Sequence, residues 1–195
     1  MERFDIINKL INYYGYESYL EIGVLKRDSF DVVKCKNKVS IDPNHPATYK
    51  MESDAFFEHI NEEKFWKEKT KMTWDIIFID GWHEREQVKR DISNSLNHLN
   101  DNGTIVCHDM CPPSEMHLLP RYCHNSWEAF GHFRKTDKNL DMFVVDTDCG
   151  CGVIRKGSQA LYEGNIESEW EFFDKNKKEI LNLISVEEFN ERYTK

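Results

Sequence analysis

Apolar strand segments alternating with amphipathic helices predict an α/β protein: a doubly wound, mostly parallel, seven-stranded sheet with an antiparallel hairpin near its carboxyl end. Three observations carry this. Two continuous apolar runs, 74–81 and 104–109, read as strands buried on both faces, as parallel strands are. Segments with helical periodicity separate the strands from one another. Two closing segments, 142–145 and 152–154, flank a turn at 146–150 and so read as a hairpin.

The elements follow in order. Phe4, Ile6, Ile7, Leu10, Ile11 and Tyr14 recur at helical spacing, so a helix over 2–14 opens the domain. The run 19–24 is a short strand with one acid, Glu21, near its end. Asp28 is placed to cap a helix over roughly 29–34. The next strand, 38–43, is stopped by Pro43, which has no N–H to donate. Residues 48–51 read as a weak third strand, and Ser53 or Asp54 as the cap of a helix through Phe57 and Ile60. The fourth strand, 74–81, leads to a helix over 84–99 with Val88, Ile92, Leu96 and Leu99 along one stripe. Asp101-Asn102-Gly103 reads as a turn before the fifth strand. The segment 110–123, with Pro112 and Pro113, leaves the sheet, and a helix near 126–135 follows. The tail from about 167 to 195 reads as charged helix.

At 195 residues the chain is expected to form one domain over 1–195, with its core at about 17–156. Charged residues at 31% against 39% hydrophobic give a soluble composition, and no apolar run approaches the roughly 20 residues that span a bilayer. The first residues have no signal-peptide hydrophobic core, so a cytoplasmic location is expected, without a membrane partner. A net charge of -9 with scattered Lys and Arg disfavours nucleic acid, leaving a small molecule or sugar as the expected substrate. The six cysteines include no CxxC pair. They read as reduced thiols, and a zinc set of Cys107, His108, Cys111 and Cys123 matches no familiar spacing. The acidic tail reads as a solvated face or as the contact of a homodimer.

In open α/β sheets the ligand lies beyond the carboxyl ends of the strands, where strand order reverses. Glu21, Asp42 and Asp80 are expected there. Asp42 stands 19 residues after Gly23, near the spacing at which an acid reaches ribose hydroxyls. A dinucleotide would require a GxGxxG turn for its pyrophosphate. The loop here, Glu21-Ile22-Gly23-Val24-Leu25-Lys26-Arg27-Asp28, has one glycine, and its acid would repel phosphate while suiting an ammonium group. S-adenosylmethionine, with a ribose, a cationic tail and no phosphate, fits those features.

Residues 19–24, 39–43, Ser53-Asp54-Ala55-Phe56-Phe57, 77–83 and 103–109 together resemble class I S-adenosylmethionine-dependent methyltransferases, enzymes with a Rossmann-like sheet. The nearest subgroup is small enzymes associated with glycan and natural-product biosynthesis. The resemblance covers about 17–156. It implies that Glu21 and Gly23 contact the methionine portion, with Ser29 opening the next helix beside them. It implies that Asp42 binds the ribose hydroxyls, that Ser53 and Asp54 lie near the adenine, and that Asp80 stands beside the methyl donor. Relatives commonly carry a second glycine where this chain has Lys26-Arg27.

For the chemistry, Asp80-Gly81-Trp82-His83 puts an acid and a base three residues apart just outside a strand end. His83 suits a general base near neutrality, and Trp82 a wall for adenine or acceptor, with a place in the core as the other reading. Asp80, His108 and Asp109 are arranged as in metal-dependent O-methyltransferases, which implies a divalent metal. Oxygen ligands favour Mg²⁺, and His108 would shift the choice toward Mn²⁺, Fe²⁺ or Zn²⁺. The same strand-end acids also cap helices, and His108 also reads as a core histidine. The expected function is O-methylation of a sugar or small hydroxylated metabolite. The alternatives are a nicotinamide-dependent oxidoreductase, which lacks support in the missing glycines and absent Tyr-x-x-x-Lys pair, and a non-catalytic binding protein that keeps the fold.

Overall fold

The computed structural model describes residues 1–62 and 71–194; Lys195, the last residue of the expected tail, lies outside them. Helix α1 (Arg3–Tyr14) leads into β1 (Ser18–Ile22), α2 (Asp28–Val32), β2 (Asn37–Ile41), α3 (Ser53–Asn61), β3 (Trp74–Ile79), α4 (Arg85–Asn97) and β4 (Leu99–Cys107). Then come α5 (Ser126–Thr136), the hairpin β5 (Leu140–Val145) and β6 (Cys151–Lys156), α6 (Trp170–Ile180), β7 (Leu183–Ile184) and α7 (Val186–Arg192).

The seven described strands form one sheet in the order β2-β1-β3-β4-β6-β5-β7. Strands β1 to β4 pair in parallel, and β6 runs antiparallel to both β4 and β5. Each face buries a separate core. Along β3, Ile77 and Ile79 pack toward Phe56, Ile92 and Trp127, whereas Ile76 and Phe78 pack toward Ile6, Leu10 and Phe189. Helices on both faces explain the apolar run from Ile76 to Ile79: each of these side chains has a hydrophobic partner to meet.

Four local expectations are corrected. Residues 48–51 make only an isolated bridge, Ile41 to Tyr49, and the seventh strand is β7, parallel to β5 within a tail expected to be helical. Asp101-Asn102-Gly103 lies inside β4 as a bulge: Trp74 pairs with Leu99 and Ile76 with Thr104, so five steps on one strand face two on the other. Asn100 Nδ2 donates to Asp75 Oδ1 at 2.7 Å, tying the bulge down. Asp28 and Ser53 are the first residues of their helices, not caps. Arg27, in left-handed backbone at φ 67, precedes α2, and its guanidinium turns away to Asp31 and the Phe30 ring. Among the described residues no helix is long and apolar enough to cross a membrane.

Candidate active site

Strand order reverses between β1 and β3, and a cleft of about 750 Å³ opens at their carboxyl ends. Gly23 makes the geometry there. Its φ is 85, and an added Cβ would sit 2.2 Å from the backbone oxygen of Asp80, so only glycine lets the β1 loop reach the end of β3. Gly23 N–H donates to Ile41 O at 2.9 Å and Asp80 N–H to Ile22 O at 2.8 Å, locking the three strand ends together.

Glu21 is buried and lines this cleft, accepting a hydrogen bond from the Tyr19 hydroxyl. Burial pushes its carboxyl up to about 8, against the opposing effect of the Tyr19 bond. Ser29 also lines the cleft, its hydroxyl 3.2 Å from Arg3 Nε.

Asp42 lines the cleft too, but its oxygens serve the backbone. Oδ2 accepts from the N–H groups of Val24 and Leu25, and Oδ1 from those of Asn44 and His45, at 2.8–3.2 Å. Against the cost of burial, these bonds hold its carboxyl down to about 2. A fifth contact, 3.1 Å from Oδ1 to His45 Nδ1, involves a ring that is 40% exposed.

At the far end, Ser53 lines the cleft and donates to Asp91 Oδ1 at 2.6 Å. Asp54 does not line it. Its carboxylate pairs with Arg90 at 2.9 Å on the surface. Asp91, which sequence reasoning passed over, takes its place: it is buried, lines the cleft, and burial pushes its carboxyl up to about 6. Gln87 Nε2 also bonds Asp91 and Ser53. The available signal was position, because an acid at 91 falls three residues after Val88 on the buried side of α4. Trp82 is 71% exposed at the cleft rim, which makes it a wall and not a core residue.

Beyond the ends of β3 and β4 lies a charged cluster. His83 Nε2 is 3.4 Å from Asp80 Oδ1; its Nδ1 is 2.6 Å from the Tyr122 carbonyl and 3.2 Å from Asp109 Oδ2. His108 Nδ1 lies 3.3 Å from Asp80 Oδ1 and 3.4 Å from Asp109 Oδ1, while its Nε2 faces Asp148 Oδ1 at 3.3 Å. Arg3, reaching in from α1, bonds Asp148 at 2.7 Å and stands 3.7 Å from Asp80. Neither Arg3 nor Asp148 was foreseen; they lie 145 residues apart and no local pattern joins them. Burial alone would raise Asp80, but His108, and behind it His83, hold its carboxyl well below the usual range. Burial alone would lower both imidazoles. The Asp80 hydrogen bond leads in raising His83, and the Asp80 charge, followed by bonds to Asp109 and Asp148, holds His108 far above its ordinary value.

The expected metal set was Asp80, His108 and Asp109. The three side chains do meet, but His108 is gripped from both ring nitrogens. Among the described residues, one group whose ligand atoms all lie within 4.8 Å of one another joins Asp80 and Asp109 with His83 in place of His108.

A seven-stranded α/β sheet with a cleft at its switch point defines a Rossmann-like fold. A family model described as a methyltransferase domain matches residues 29–110. No curated protein matches the chain. Among solved structures it is similar to the methyltransferase PaMTH1 of Podospora anserina bound to S-adenosylhomocysteine, at 16% identity and TM-score 0.54, covering 80% of this chain and 78% of that one. It is similar to the O-methyltransferase TomG of Streptomyces achromogenes in complex with S-adenosylmethionine, at 10% identity and TM-score 0.55, over 80% of each chain. An O-methyltransferase of Bacillus cereus in complex with S-adenosylhomocysteine gives 13% identity and TM-score 0.55, over 79% of this chain and 80% of that one. The chain thus has the Rossmann-like methyltransferase fold.

Proposed function

We propose that this protein is an S-adenosylmethionine-dependent O-methyltransferase acting on a sugar or small hydroxylated metabolite. The observation that carries the reading is Glu21: a buried acid with a raised pKa, lining a nucleoside-sized cleft beside a single glycine and no phosphate loop. Such an acid is poised for a cationic ligand, and the methyltransferase-domain match over 29–110 agrees.

S-adenosylmethionine supplies a methyl group on a sulfonium. Glu21 takes the ammonium of its tail, while Ser29 and the start of α2 face the tail's carboxylate. Asp42 holds both walls of the cleft through four backbone bonds. Its half-exposed His45 contact is the one a ribose hydroxyl takes over without unwinding either loop. Asp91, Ser53 and Gln87 receive the adenine edge, and Trp82 covers it or the acceptor. His83 accepts the acceptor's proton at Nε2. Its Nδ1–H, donated to the Tyr122 carbonyl, fixes the tautomer this requires.

The two carboxylates and imidazole of Asp80, Asp109 and His83 also fit a divalent ion such as Mg²⁺ or Mn²⁺. It would supply Lewis acidity that lowers the acceptor hydroxyl's pKa. With an ion in place His83 serves as a ligand instead of the base. Calorimetry with S-adenosylmethionine, with Mg²⁺ or with chelator, tests the donor and the metal together. Absence of binding at hundred-micromolar ligand would sink the reading, and binding indifferent to metal would remove the ion. A screen of hydroxylated acceptors for a methyl mass gain then identifies the product.

A further inference from the structure

We propose that Asp109, Cys123 and Cys149 form a thiolate site for one soft divalent cation, Zn²⁺ by preference. This goes beyond the methyl-transfer reading and does not depend on it. One ligand atom from each residue lies within 4.8 Å of the others. Two thiolates bound at 2.3 Å to a tetrahedral zinc stand about 3.8 Å apart, so the three groups close on an ion by side-chain adjustment. Cys123 Sγ is already 3.3 Å from Asp109 Oδ1, and Cys149 Sγ lies within 4.8 Å of both groups. A cation bonded to all three residues satisfies them at once, releasing the two thiol protons to solvent.

The backbone builds this site from three separate segments. Asp109 and Cys149 occupy left-handed conformations, at φ 63 and 58, that non-glycine residues rarely adopt. Cys111 N–H donates to Cys149 O at 2.7 Å and Met110 N–H to Gly150 O at 3.0 Å, clamping the β5–β6 turn to the segment after β4. An added Cβ on Gly150 would lie 2.3 Å from Cys111 N, so this contact is tight. The Ser126 hydroxyl is 2.7 Å from the carbonyls of both Asp109 and Cys123, joining the third segment. Two sulfurs and one oxygen favour zinc over magnesium, and three protein ligands leave a fourth position for an exogenous donor. The second oxygen of Asp109 stays 3.2 Å from His83, so an occupied thiolate site also fixes one wall of the charged cluster.

The test is Co²⁺ titration of the full-length protein, reduced and stripped of metal. One equivalent is expected, with a near-ultraviolet thiolate-to-cobalt charge-transfer band and visible bands of tetrahedral intensity. Zn²⁺ should displace it, and excess Mg²⁺ should not. Cys149→Ser should lose about half the charge-transfer intensity and weaken binding at least about 100-fold, whereas Cys35→Ser behaves as wild type. Melting curves in chelator establish that Cys149→Ser folds; if it does not, Cys123→Ser is read the same way. A wild-type spectrum without the charge-transfer band, or one unchanged in both serine variants, overturns the site. So does displacement by Mg²⁺, which would place the ion on Asp80, His83 and Asp109. A reduced protein that reverts to a Cys123–Cys149 disulfide in air with Zn²⁺ present also overturns it.

Discussion

At the β1 and α4 ends of the cleft, Glu21 and Asp91 are buried acids pushed up to about 8 and about 6. Beyond β3 and β4, Asp80 and Asp148 are equally acidic residues held well below the carboxylate range, Asp80 by His108 and His83 and Asp148 by His108 and Arg3. Among the described residues neither Glu21 nor Asp91 has a cation in direct ion-pair contact, whereas Asp80 and Asp148 are supplied with three, His83, His108 and Arg3. Desolvation raises all four carboxyls, although Asp80 and Asp148 are only partly buried, so partners decide the outcome: in the proposed function the Glu21–Asp91 side receives the ligand, while the charged cluster holds a geometry.

The difference is broken most severely at His83, which lines the cleft beside Asp80 and Arg3. His83→Ala should lower kcat by about 10²–10⁴-fold and leave the Kd for S-adenosylmethionine within about twofold. A rate within threefold of wild type would remove His83 from the chemistry. Because its pKa is raised, the neutral base appears only as pH climbs past 6.5, so kcat should rise with pH through that shifted value.

The ligand-receiving floor is tested at Glu21. Glu21→Gln keeps the shape but loses the charge-assisted bond, so affinity should fall about 10–100-fold by calorimetry. Wild-type binding requires the ionised carboxylate, so affinity should rise up to about tenfold per pH unit until about pH 8, and the slope should vanish in the variant. Stability moves the other way. A carboxyl raised above its unfolded value of 4.5 contributes stability that is fully present below that pH and is lost as pH rises through about 8. Melting temperature without ligand should therefore drop over that window more for wild type than for Glu21→Gln. Equal pH profiles for both proteins would contradict the assignment.

How much of this was legible in the sequence depended on distance along the chain. The strand runs 74–81 and 104–109 announced themselves because both faces of the sheet are covered, and Glu21, Gly23, Asp42, Asp80 and His83 followed from standing at strand ends. What was lost is what folding brings together. Arg3 and Asp148 meet across 145 residues, and Cys123 and Cys149 come from two loops that share no spacing rule. Strand β7 is two residues long, too short for an alternation to show. The Asp101-Asn102-Gly103 turn signal was real turn chemistry spent on a bulge, because Asp75 on the neighbouring strand captures Asn100. Asp42 lines the cleft as its strand-end position implies, yet the four backbone bonds that occupy it depend on a loop conformation that spacing does not encode.

The smallest effects sharpen the boundary of the floor, where Asp91 and Asp54 lie on two sides of Gln87. Gln87 Nε2 bonds Asp91 at 3.2 Å and Asp54 at 3.3 Å, so residue contacts alone do not separate them. Exposure does. Asp91 is buried and lines the cleft, and Asp91→Ala leaves the Ser53 hydroxyl without its acceptor, which should weaken S-adenosylmethionine binding about tenfold. Asp54 pairs with Arg90 through side chains 43% and 52% exposed, an arrangement worth about 0.2–1 kcal/mol to folding and screened by salt. Asp54→Ala should therefore change Kd by less than about twofold, with a slightly lower melting temperature that converges on wild type at high salt. A tenfold loss of affinity in Asp54→Ala, matching Asp91→Ala, would return the adenine contact to the position the sequence first suggested and displace Asp91 from it.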